Sequence, residues 1–214
     1  MFVHVSLEKG GVLMAVDNKS SFLRIFVVLT TFCALSGALL AWVHSFTAEA
    51  VERAALEQRA QAVSIVLPSH TNDPLADACS IALAGTDREL EVYPAFSGTE
   101  FVGAAVESYS LDGFSGEIVV MYGFDAHGRV VGYEVVSQAE TPGLGARMQQ
   151  WFRMDRGNRS VIGLDPCDPA SRLTADGGSI DGITAATITS RAFVDAMARA
   201  RAVFDVYCSQ KETR

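Results

Sequence analysis

The chain has 214 residues and a mass of 22.9 kDa, of which 49% are hydrophobic and 20% charged, room for one globular domain and an appendage. A mean hydropathy of +0.22 excludes a disordered chain and is high for a soluble domain, so a membrane segment is sought first. A net charge of -8 with a pI near 5.0 argues against nucleic acid as a partner, and 4 cysteines do not make a disulfide scaffold.

Residues 25–43 (IFVVLTTFCALSGALLAWV) carry no charge. At 1.5 Å per residue such a helix spans roughly 28 Å, close to a hydrocarbon core of about 30 Å. Trp42 and Phe46 stand at its far end as interfacial aromatics, with Lys19 and Arg24 at the near end. This predicts a retained anchor over 22–46 with a short cytoplasmic N-terminus at 1–21. A cleaved signal peptide is the competing reading. Its apolar region would run only about 7–15 residues, and Ala48-Glu49-Ala50 is a poor cleavage site. Residues 1–46 carry a net +1 and the remainder -9, so an acidic domain follows a nearly neutral anchor. No second apolar stretch follows, so the chain alone is not expected to form a transport path.

Residues 48–66, rich in Ala, Glu, Gln and Arg, continue the membrane helix or form a connector helix (47–67), which Leu67-Pro68 stops. Residues 69–89 carry little pattern. Strands are predicted at 90–93 and 101–106 around a turn at 97–99. A second pair, 117–124 and 129–137, flanks 125–128, where Gly128 can take a positive φ. Residues 138–150 read as a loop running into a short helix, and 164–179 as loop. A helix is predicted over 187–204, with Phe193, Val194, Met197 and Phe204 on one face. The fold class is α+β: one N-terminal transmembrane helix, then antiparallel β-hairpins and a C-terminal helix over 68–207, with a tail at 208–214.

Several chemistries are absent. There is no GxSxG elbow, HExxH or GxxxxGK[ST] loop. Cys33, Cys79, Cys167 and Cys208 lack CxxC spacing, against an iron–sulfur cluster held by this chain alone. A disulfide among the last three, outside the cytoplasm, leaves one over. The four histidines are scattered, and His127 reads as a solvated turn residue. No catalytic residue and no metal ligand set is assigned.

Two segments stand out. In 140–145 (ETPGLG) two glycines allow a backbone to approach a ligand and Pro142 stiffens the turn; the plain alternative is a strand-to-helix turn. In 181–187 (DGITAAT) small and hydroxyl residues lead into the last helix. Free N–H groups and the positive helix end suit a phosphate there, while N-capping by Thr184, Thr187 or Ser190 is the plainer reading.

The run DGITAAT resembles the acceptor motif of a periplasmic flavin transferase, in which FMN is attached through its phosphate to the hydroxyl of the final Thr, here Thr187. With DGFSG at 112–116, ETPGLG and the final helix, nearly the whole chain resembles the FMN-binding G subunit of Rnf-type ion-translocating electron-transport complexes. The related C subunit of the sodium-translocating NADH:quinone reductase shares the FMN-binding domain. Ala185 is a departure, since Gly is commoner there.

The resemblance implies covalent FMN on Thr187, with Thr141, Leu144 and Gly145 near the ring or ribityl chain. It assigns Asp181 and Thr184 to recognition by the transferase, and leaves 112–116 as a turn near the cofactor or simply a turn. A threonine hydroxyl is a poor nucleophile in water, so the transferase, using FAD and Mg²⁺, supplies the chemistry of attachment. The implied protein is a redox subunit of a translocating oxidoreductase, single-pass in the inner membrane with its domain periplasmic. Its implied partners are the other subunits of the Rnf-type complex and the flavin transferase. The alternatives are the equivalent subunit of the quinone reductase, and an anchored binding or assembly module without cofactor.

Overall fold

The structure, a computed structural model, describes residues 18–212 except 84 and 87. Most of the expected cytoplasmic N-terminal segment, residues 1–17, lies outside the described residues. The chain divides into two units, Met1–Arg53 and Ala54–Arg214. Helix α1 runs without a break from Asn18 to Val66, so residues 48–66 continue the apolar helix. In the first unit its apolar side chains, among them Phe26, Leu29, Leu35 and Trp42, are exposed. One stretch of this helix is long and apolar enough to cross a membrane.

The second unit is built on a five-stranded antiparallel meander, in spatial order β1-β2-β3-β4-β5. Its strands are β1 (Cys79–Ile81), β2 (Leu90–Ser97), β3 (Glu100–Gly113), β4 (Gly116–Asp125) and β5 (Val130–Ser137). Strand β1 falls in the segment expected to be patternless, and β3 runs well past Val106. Its second half is polar, yet Ser108 and Ser110 are buried, and Ser110 Oγ donates to Asp195 Oδ2 at 3.2 Å. The β4–β5 turn forms around Asp125, whose Oδ1 accepts from the N–H groups of His127 and Arg129, and Gly128 takes φ 77°. His127 is an exposed turn residue.

Each face of the sheet is covered by a helix. On one face lies α3 (Thr187–Glu212), which extends beyond Phe204. Phe193, Ala196, Met197, Ala200 and Phe204 are buried against Val106, Val120, Tyr122, Phe124 and Tyr133, and Val194 packs half-buried at the margin. Phe193 stacks on Phe152 at 4.3 Å and meets Tyr133 edge-on at 4.9 Å. On the other face, Ala62, Val63 and Val66 at the end of α1 pack on Tyr93, Ala105 and Met121. Gly123 permits this, because a Cβ there would collide with the Val66 carbonyl. Cys79 and Cys167 are free thiols, and burial raises the pKa of Cys79.

Candidate functional site

The site lies where three segments distant in sequence meet. The first is the two-residue tip of the β3–β4 hairpin, Phe114-Ser115, closed by the Gly113–Gly116 pair. The second is the loop after β5, which passes through a 3-10 turn at Gly145–Arg147 into the short helix α2 (Met148–Trp151). The third is the start of α3. Between them is a cleft of about 350 Å³ lined by Phe114, Glu140, Thr141, Leu144, Gly145 and residues 185–189.

Thr187 is the first residue of α3, and its side chain is exposed on this cleft. The backbone N–H groups of Thr187, Ile188 and Thr189 have no hydrogen-bond partner among the described residues. They form the unsatisfied first turn of a 26-residue helix, where partial positive charge gathers. None of the hydroxyls expected as N-caps bonds to them. Ser190 Oγ instead accepts from the N–H of Ile183 at 2.9 Å and donates to the Ala186 carbonyl at 2.9 Å, fixing the approach to the helix.

That approach is a β-turn over 183–186, closed by the Ala186 N–H donating to the Ile183 carbonyl at 3.0 Å. Ala185 occupies its third position with φ 64°, a conformation that favours glycine. The preference for Gly in the motif thus has a backbone cause.

Thr141, Leu144 and Gly145 line the cleft with Thr187, whereas Asp181 and Thr184 do not. Thr184 is exposed in the turn. Asp181 is half-buried and engaged elsewhere: its N–H donates to the Asn158 carbonyl at 2.7 Å and its Oδ2 accepts from the Asn158 N–H at 3.3 Å. The DGFSG turn is the hairpin tip beside the cleft, with Phe114 on its wall.

Residues to which the sequence assigned no individual role complete the site. Glu140, only 5% exposed, accepts from Thr189 Oγ1 through Oε2 at 2.7 Å and from the Ser115 N–H through Oε1 at 3.1 Å. One carboxylate therefore joins all three segments. Trp151 donates its indole N–H to the carbonyl of Asp181, and its ring lies under the guanidinium of Arg159 at 3.9 Å. Phe114, Leu144 and Ile188 leave apolar surface exposed around the cleft mouth. Among the described residues no group of three or more His, Cys, Asp or Glu is placed to hold a metal ion.

The arrangement offers an exposed hydroxyl at a helix N-terminus, beside a cleft with apolar walls. It suits a ligand with an anionic group at one end and a flat apolar body at the other.

Comparison with known proteins points the same way. Residues 113–202 match the family described as FMN-binding domain. The chain is similar to the G subunit of the ion-translocating oxidoreductase complex of Vibrio cholerae, 32% identical over 182 residues that cover 81% of this chain and 86% of the relative. The protein of the same name from Yersinia pestis is 35% identical with the same coverage. That of Pseudomonas aeruginosa is 32% identical over 201 residues, covering 90% of this chain and 92% of the relative.

Proposed function

The chain belongs to the family of G subunits of ion-translocating oxidoreductase complexes, and from this we propose that it carries FMN esterified to Thr187 and relays electrons through it within a membrane-bound complex. The electron path couples ferredoxin and NAD to ion transport, as the resemblance to the Rnf type implies. The observation that carries the assignment is the exposed Thr187 hydroxyl at the first turn of α3, on the rim of a cleft lined by Thr141, Leu144 and Gly145.

The residues present fit the group. A phosphodiester keeps one negative charge, which the unpaired N–H groups of residues 187–189 at the positive end of the helix would meet. Phe114, Leu144 and Ile188 line the cleft and would shield a planar ring from water. Bound FMN supplies the capacity to take up and release electrons, while the chain orients it and sets its surroundings. Attachment is performed by the periplasmic flavin transferase with FAD. In that transfer Thr187 Oγ1 would be the acceptor that takes the FMN phosphoryl group from FAD, with AMP as leaving group and the hydroxyl proton passing to a base of the transferase. Asp181 and Thr184, outside the cleft, are left for the transferase to read.

The domain is periplasmic, held by a single crossing at 22–46, with the other subunits of the complex as partners. The names of the relatives favour this reading over the quinone-reductase subunit. The test is a denaturing gel of membranes from cells that express the transferase. Flavin fluorescence at the size of this chain, lost in Thr187→Ala, is the expected result. A dark wild-type band overturns the assignment in favour of an anchored module without cofactor.

A further inference from the structure

Glu140 is more than a structural tie. A neutral amide of the same shape would accept from one of its two donors at least, and the fold alone gives no reason for a charge. Both carboxylate oxygens are engaged, Oε1 by the Ser115 N–H and Oε2 by Thr189 Oγ1. Among the described residues no Lys or Arg forms an ion pair with it, so the charge is met only by one hydroxyl, one N–H and the nearby start of α3. Burial of a charge without a cation is costly and is kept where the charge acts on something.

The surrounding chain is shaped around this group. A Cβ at Gly113 would come within 2.8 Å of its Oε1, and one at Gly145 within 2.5 Å of its Oε2. Gly113 and Gly145 thus leave room for the same carboxylate, Gly113 also for the Gly116 carbonyl, and this carboxylate lines the cleft that holds Thr187.

We propose that Glu140 is a positioning residue for the flavin: it locks the three walls of the cleft together and sets a fixed negative charge against the cofactor, holding its reduction potential down. This rests on the reading that FMN is carried on Thr187. Reduction of a bound flavin would add negative charge, and a neighbouring carboxylate that is itself buried would oppose it.

The experiment compares full-length wild type, Glu140→Gln and Leu144→Asp, purified from cells expressing the transferase. Gel fluorescence reports attachment, a thermal melt reports folding, and a mediated titration with dithionite as electron donor reports the potential. The expected result is a higher potential in Glu140→Gln with attachment retained, and a lower one in Leu144→Asp, which adds a carboxylate to the exposed wall of the same cleft. Should Glu140→Gln fail to fold, Leu144→Asp decides: a lower potential supports the inference and an unchanged one overturns it. Fluorescent bands with equal potentials in all folded proteins sink this inference alone. A dark wild-type band sinks the FMN assignment and this inference with it.

Discussion

Trp151 donates its indole N–H to the main-chain carbonyl of Asp181 at 2.8 Å, tying helix α2 to the segment that leads into α3. The bond joins the two segments that flank the cleft without entering the cleft itself. Trp151→Phe keeps most of the ring's packing and removes only the donor. A loss of about 1 kcal/mol is expected, read as a fall in melting temperature of about 2–4 °C. The fraction of chains carrying fluorescent flavin should fall as well, because the acceptor segment loses its anchor.

Ala185 stands at φ 64°, where an L residue is strained by about 1–2 kcal/mol. Ala185→Gly removes that strain at an entropic cost of about 0.5–1 kcal/mol, so a small net stabilisation is expected in urea unfolding. Ala185→Val, with a branched side chain in the same turn, should destabilise clearly. Equal midpoints for the three proteins would refute the strained turn.

At Gly123 the sign is opposite. Alanine is ordinarily the better strand residue, but here its methyl would meet the backbone of Val66. Gly123→Ala should cost about 1–3 kcal/mol, with earlier proteolysis near residues 60–66 as the end of α1 lifts from the sheet.

Glu107 faces Arg59 across the other sheet face, Nε to Oε2 at 3.1 Å, with Glu91 and Arg88 also near. Burial raises its pKa, opposed by Arg59 and Arg88 and reinforced by Glu91. The folded state therefore binds the proton more tightly than the unfolded chain. The stability this gives is complete below the ordinary glutamate range and is lost as pH rises through the raised value. Glu107→Gln should melt higher than wild type at neutral pH, with the difference closing as pH falls toward the ordinary glutamate range. A difference constant with pH would contradict the burial penalty.

The proposed topology is checked by reporters fused after Arg214. A reporter active only in the periplasm should give signal, and one active only in the cytoplasm should stay silent. The reverse outcome would strand Thr187 away from the transferase.

The hairpin of β4 and β5 is legible in the sequence because two apolar runs rich in Val and Tyr flank a turn marked by Asp125 and Gly128. Strand β1 is not, because three residues held by one neighbouring strand leave no period to read. The far half of β3 looks like loop for a different reason. Ser108 and Ser110 are buried, and only the tertiary fold reveals that these polar residues are covered. The cleft is legible as two motifs, ETPGLG and DGITAAT, each with a plain local explanation. What joins them is Glu140, whose importance lies in bonds to residues 115 and 189. An acidic residue at the head of a loop, in a chain of net charge -8, gives no sign of this by itself.

The cleft draws its lining from residues 114 to 189, and the face of the sheet beside it is covered by α3, Thr187–Glu212. Its assembly therefore waits until α3 has been made. Until the final turns of α3 leave the ribosome, half of the core around Phe193 and Phe204 has nothing to pack against, and Thr187 sits on a segment without a wall opposite. The order of synthesis thus separates two populations of acceptor threonine, one in an open chain and one beside a finished cleft. A transferase that works on the first needs only the short sequence, whereas one that works on the second must find room beside Phe114 and Leu144.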